Sequence, residues 1–142
     1  MEIIGSISES FDPSDVPVGE TSVERPLRVK LGHVKRLNST GVREWLMFVR
    51  SLPAGTFVLE DCAVPFVQQL GMIFNMAPAA AVLSIQLPFF CAKCNKATIV
   101  TVATRSARGV ASTPERCPQC DSDMEFDELP EAYLGWIDAI AL

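Results

Sequence analysis

The chain has 142 residues, 49% of them hydrophobic, and a formal charge of −5. Such a composition excludes an intrinsically disordered chain and allows one real core plus a small stapled module. The acid excess opposes phosphate backbones and acidic membrane surfaces. The longest apolar run, residues 77–90, contains Ser84 and Gln86 and falls short of the roughly 20 residues of a membrane span.

In chain order, residues 1–7 read as a first strand. Residues 8–26 hold Pro13, Pro17 and Pro26 among Asp12, Ser14, Asp15 and Gly19, a mixture that breaks any long helix and predicts a surface loop. Leu27, Val29 and Leu31 alternate with Arg28 and Lys30 at the period of a half-buried strand, and Gly32-His33 is expected to turn the chain. Val42, Trp45, Leu46, Val49 and Leu52 then recur at the spacing of one buried helix face. That helix opens at Asn38-Ser39-Thr40-Gly41, where Asn38 or Ser39 is the natural N-cap. Pro53-Ala54-Gly55 stops it, and residues 56–60 form a β-branched, apolar strand. A second helix is expected from Pro65 at N1, with Phe66, Val67, Leu70, Ile73 and Phe74 on its apolar face and Asn75-Met76-Ala77-Pro78 at its end. Residues 80–87 complete a strand, helix, strand, helix, strand order, which implies parallel pairing through right-handed crossovers.

Two matched pairs follow, Cys91-Ala92-Lys93-Cys94 and Cys117-Pro118-Gln119-Cys120, with 22 residues between them. Thiolates spaced in this way can surround one tetrahedral Zn²⁺ at about 2.3 Å, each tight turn supplying two sulfurs and backbone N–H groups to hydrogen-bond them. The other readings are two disulfides or a redox pair. Nothing at the N-terminus resembles a signal peptide, so a cytoplasmic chain with reduced thiols is expected. A closed four-cysteine site offers no position to water or substrate, which makes the one expected zinc structural. Four thiolates around one divalent cation would take the charge to about −7. Cys62, the fifth cysteine, has no partner nearby in sequence and reads as a small core residue.

Residues 97–102 predict a strand after the first pair, Arg105-Ser106-Ala107-Arg108-Gly109 a basic flexible loop, and Met124-Glu125-Phe126 a strand after the second pair. Residues 89–128 thus read as a β zinc ribbon attached to a domain of residues 1–88. Arg105 and Arg108 form a basic pair in a ribbon otherwise rich in acid, which ranks protein above nucleic acid as the partner. Leu129, Tyr133, Trp136, Ile137 and Ile140 form an apolar stripe with Glu128 and Glu131 at its start, so residues 129–142 predict an amphipathic helix that packs on the body. Asp121, Asp123, Glu125, Asp127, Glu128 and Glu131 lack the glycine and spacing of an EF-hand and read as a solvated face. The single histidine, His33, sits in the expected turn with no triad pattern around it, and no glycine-rich phosphate loop is present, so no enzyme is expected.

The order of residues 27–87, with Leu37-Asn38-Ser39-Thr40-Gly41-Val42 and, more loosely, Phe66-Val67-Gln68-Gln69-Leu70-Gly71-Met72, resembles the STAS domain of bacterial anti-sigma factor antagonists, shortened at its N-terminus. The resemblance implies an α/β fold with a mixed, mainly parallel STAS-like sheet and helices packed on it, to which the ribbon and the C-terminal helix are added. It also implies a non-enzymatic bacterial module for regulatory protein-protein interaction, partnered by a serine kinase, an anti-sigma factor or another signalling complex. In the switching members the first serine of the motif is phosphorylated, and the residue that matches is Ser39; Asn38 stands where the family usually has Asp.

A phosphate on a serine at a helix N-terminus meets unpaired N–H groups and the positive end of the macrodipole, so it would be tolerated without refolding. Ser39, Asn38, Thr40, Gly41, Arg36 and Arg43 are therefore the candidate phosphorylation and partner surface. The alternatives are a Ser39 that only caps its helix, a constitutive zinc-ribbon scaffold with no switch, and a ribbon that binds nucleic acid.

Overall fold

The computed structural model describes residues 2–7, 22–73, 76–78 and 81–137. Three parallel strands, β1 (Glu2–Ile7), β2 (Leu27–Leu37) and β3 (Phe57–Glu60), lie in that order. Leu27, Val29 and Leu31 of the central strand are buried. The strand does not turn at Gly32-His33. It takes up an extra residue against β1 between Lys30 and His33, another between Val34 and Arg36, and runs on to Leu37. The reason is close approach rather than a turn: Gln86 Nε2 donates to the Gly32 carbonyl at 3.2 Å, and a Cβ on Gly32 would stand 3.2 Å from the Asp61 carbonyl oxygen. Of the loop expected over residues 8–26, residues 8–21 lie outside the described residues.

Asn38 caps α1 (Ser39–Ser51), its side chain accepting the Gly41 N–H at 2.8 Å, so Ser39 is the first helical residue and not the cap. Trp45 is fully buried, meets Phe66 edge-on at 5.3 Å and Phe48 at 5.7 Å, and its indole N–H donates to the Met76 carbonyl at 2.8 Å. Those contacts lock α1 onto α2 (Val64–Met72), in which Pro65 is the second helical residue and Phe66, Val67 and Leu70 are buried. Phe74 and Asn75 lie outside the described residues.

β4 (Ser84–Cys91) and β5 (Lys96–Ala103) make a hairpin, and β7 (Asp123–Phe126) followed by β6 (Glu115–Arg116) lie on the other side of β4. Every pairing in this four-stranded sheet is antiparallel. The expected STAS-like, mainly parallel sheet is therefore overturned: only three strands are parallel, and the larger sheet is antiparallel. The turn at residues 92–95 can join only antiparallel neighbours, because a parallel partner needs a crossover of about a dozen residues or more. The two sheets meet at isolated parallel bridges, Leu59 with Val82 and Cys62 with Ile85.

The edge of β4 that faces away from β5 is shared between two partners. Cys62 donates to the Ser84 carbonyl at 3.1 Å and accepts from the Gln86 N–H at 2.9 Å; farther along, the Asp127 N–H donates to the Pro88 carbonyl at 2.9 Å. Between them the Gln86 carbonyl has no strand to pair with, and it accepts the Tyr133 hydroxyl at 2.6 Å instead. Pro88 has no N–H to satisfy, so a residue normally kept out of central strands fits this seam.

Tyr133 comes from α4 (Pro130–Leu134), whose Tyr133 ring meets Phe126 at 5.7 Å. This helix seats on α2 so closely that a Cβ on Gly71 would collide with the Ala132 carbonyl oxygen. The basic loop expected at Arg105–Gly109 is instead a 3-10 turn, Thr104–Ser106, followed by the short helix α3 (Ala107–Ala111). Burial of Ala107 and a hydrogen bond from Arg108 to the Leu134 carbonyl at 3.3 Å order it against α4. Ile140 of the expected stripe lies outside the described residues, and Leu129 is exposed.

Candidate metal centre

The hairpin turn after β4 and the turn between β6 and β7 bring Cys91, Cys94, Cys117 and Cys120 together, with all four sulfurs within 4.8 Å of one another. Cys91 and Cys120 stand 3.5 Å apart and Cys94 and Cys117 3.9 Å apart. Ligands 2.3 Å from a tetrahedral ion are about 3.8 Å apart, so these separations fit a metal; a disulfide needs about 2.05 Å. All five cysteines are free thiols.

The two turns are built alike. Asn95 and Asp121, each one residue past the second cysteine of its pair, take positive φ values of 56° and 60°. Asn and Asp are the side chains that best tolerate this left-handed region, and both turns need it to fold the chain back under the sulfurs. In the first, the Cys94 N–H donates to Cys91 Sγ at 3.4 Å. In the second, the Asp121 N–H donates to the Cys117 carbonyl at 2.9 Å and the Cys117 N–H to the Ser122 carbonyl at 2.8 Å. Hydrogen bonding to the Ser122 side chain, above all, brings the Cys120 thiol down to about 6, while its bond to Cys120 holds Cys94 up at about 12. Four soft sulfur donors at tetrahedral spacing suit zinc or iron. Asn95, Asp121 and Ser122 are the members of this site that the cysteine spacing does not reveal, although an Asn or Asp directly after each pair is a readable sign.

Cys62 takes no part. It is fully buried, forms the bridge to Ile85 between the sheets, and burial pushes its thiol up, away from the reactive thiolate. Among the described residues no other group of His, Cys, Asp or Glu side chains is arranged to hold a metal. Of the acidic residues, Asp121 and Asp123 stand 4.0 and 3.8 Å from Arg116 in exposed pairs worth little. Glu128 accepts from Gln68 at 2.7 Å. His33 is an exposed residue within β2.

At the other candidate surface, Arg36, Asn38, Ser39, Thr40 and Arg43 are exposed and Gly41 is buried. Asn38 is tied down on both sides, its N–H donating to the Ile7 carbonyl at 3.1 Å and its side chain closing the cap.

No family model, no curated protein and no solved structure matches this chain, so the STAS resemblance finds no support in relatives. What the chain itself defines is a cluster of four cysteines, close enough together to hold a metal ion, seated at one end of an antiparallel sheet. No helix among the described residues is long and apolar enough to cross a membrane.

Proposed function

We propose that the chain is a non-enzymatic protein-interaction module stapled by one structural Zn²⁺ at Cys91, Cys94, Cys117 and Cys120. The observation that carries this reading is the closed set of four sulfurs, which uses every position of a tetrahedral ion and leaves none for substrate. The acid excess of the chain favours protein over nucleic acid as the partner.

One observation favours a switch over a constitutive scaffold. Because Asn38 closes the cap, the exposed Ser39 hydroxyl is not used by the helix and is open to modification, with Arg36 and Arg43 exposed around it. A serine kinase or anti-sigma factor is the partner class this reading carries. Affinity purification of wild type beside Ser39→Asp, with mass spectrometry of Ser39 from native cells, tests it. Ser39→Asp is expected to lose the partner with the melting temperature kept within a few degrees, since a negative group is favourable at a helix N-terminus. Partner retention by Ser39→Asp, with no phosphate on Ser39, leaves the constitutive scaffold.

A further inference from the structure

β5 is an edge strand that, beyond Lys96 at its start, has none of the devices that usually guard an edge. Among the described residues it pairs with β4 alone. Its register against β4 is unbroken over all eight residues, and from Ala97 to Ala103 it has no charge and no proline. Long, flat, uncharged edges are templates for another strand, and proteins ordinarily block them with lysine, proline or a bulge.

The pairing pattern says which backbone groups the edge offers. Ser84, Gln86 and Pro88 direct their backbone groups away from β5, toward Cys62 and Asp127. Their partners across the hairpin, Ala103, Thr101 and Ile99, are therefore the non-hydrogen-bonded pairs of an antiparallel ladder. It follows that the N–H and C=O groups of Ala97, Ile99, Thr101 and Ala103 point to the outer edge, and all four residues are exposed. Ile99 keeps 48% of its surface in water at the middle of the strand.

Charge narrows what can bind there. The chain has 17 acidic residues, yet none lies between Asp61 and Glu115, a stretch that holds Lys93, Lys96, Arg105 and Arg108. Lys93 and Lys96 offset the −2 of a filled tetrathiolate site at one end of β5, which leaves the net cation at the Arg105 end. A second copy fits poorly, because its own β5 has no carboxylate to set beside Arg105.

We propose that the outer edge of β5 is a strand-addition site for an extended peptide segment of another protein, β-branched along its middle and acidic at the end that meets Arg105. This goes beyond the Ser39 surface and does not depend on it. The probe is the peptide acetyl-Glu-Glu-Val-Thr-Val-Thr-Val-Thr-amide, added to the zinc-loaded chain and followed by amide hydrogen exchange. In the free chain the amides of Ala97, Ile99, Thr101 and Ala103 should exchange freely while those of Thr98, Val100 and Val102 are protected. The peptide should slow the first set by about tenfold or more, roughly the effect of one net backbone hydrogen bond, and a Lys-Lys version should bind more weakly at low salt. Thr101→Pro removes only an outward N–H, so it should keep the hairpin and abolish the response; N-methylation of the peptide at alternate amides should abolish it on the unaltered chain. Outer amides already protected in the free chain, protection that grows with protein concentration, no response to the peptide, or an equal response from a folded Thr101→Pro chain would each overturn the proposal.

Discussion

At Asn95 and Asp121 the backbone enters the left-handed region directly after a cysteine pair, and neither residue is a glycine. This region costs an ordinary L-residue about 1–2 kcal/mol; Asn and Asp tolerate it best, because their short polar side chains hydrogen-bond locally, and a β-branched side chain tolerates it worst. Asp121→Val is therefore expected to lower stability by that amount and to weaken zinc retention against a competing chelator, whereas Asp121→Gly should leave both close to wild type. Equal denaturation midpoints for the two variants would show that the turn does not need this conformation. The cysteines themselves were legible because four identical residues at fixed spacing have few other uses. The cap was legible only as a choice between Asn38 and Ser39, since both side chains can accept an N–H and only the coordinates decide which one does.

Helix α4 depends on a glycine in another helix. In isolation Gly71→Ala should stabilise α2 by about 1 kcal/mol through propensity. The Ala132 carbonyl, however, occupies the space a Cβ would need, and moving packed backbone typically costs about 1–3 kcal/mol, so the clash decides the sign. Gly71→Ala is expected to be net destabilising and to free the Tyr133 hydroxyl, visible as a lower melting temperature with an altered tyrosine signal; a rise in melting temperature would contradict the packing. Glycine in the segment from Phe66 to Met72 reads from sequence as part of a family motif, but its role here is steric. Elements with a strong local period were readable: α1 from its apolar stripe, β3 from a β-branched run bounded by Gly55. The continuation of β2 past Gly32 was not, because the Gln86 side chain and Asp61 that hold Gly32 are distant in sequence. The sheet type departs from expectation for a related reason: strand, helix, strand order says nothing about residues 92–95, where a tight cysteine turn makes the next pairing a hairpin.

For the molecule as a whole, the four-cysteine cluster sits at one end of a strand whose other end bridges to the parallel sheet. Metal analysis should find one Zn²⁺ per chain, lost in Cys91→Ser and kept in Cys62→Ala. Chelation should release the amides of β5, β6 and β7 to exchange and lower the melting temperature of the whole chain, because binding free energy at such sites is folding free energy. Iron in place of zinc, or a melting temperature indifferent to chelator, would count against the staple. Pro88 bears on how the chain reaches this arrangement. Any strand residue opposite Pro88 can donate to its carbonyl but finds no N–H to accept, and that place is taken by Asp127, just past the end of β7. The ladder to β7 runs over Phe89 and Phe90 and closes with the Asp127 N–H on the Pro88 carbonyl, a bond that needs no donor from the proline, and the Ser84–Gln86 stretch is left to Cys62. Pro88 can therefore serve as the meeting point of two partners on one strand edge, one that asks only for its carbonyl and one that stops short of it, and beyond it the two cysteine turns come to rest with their sulfurs facing one another.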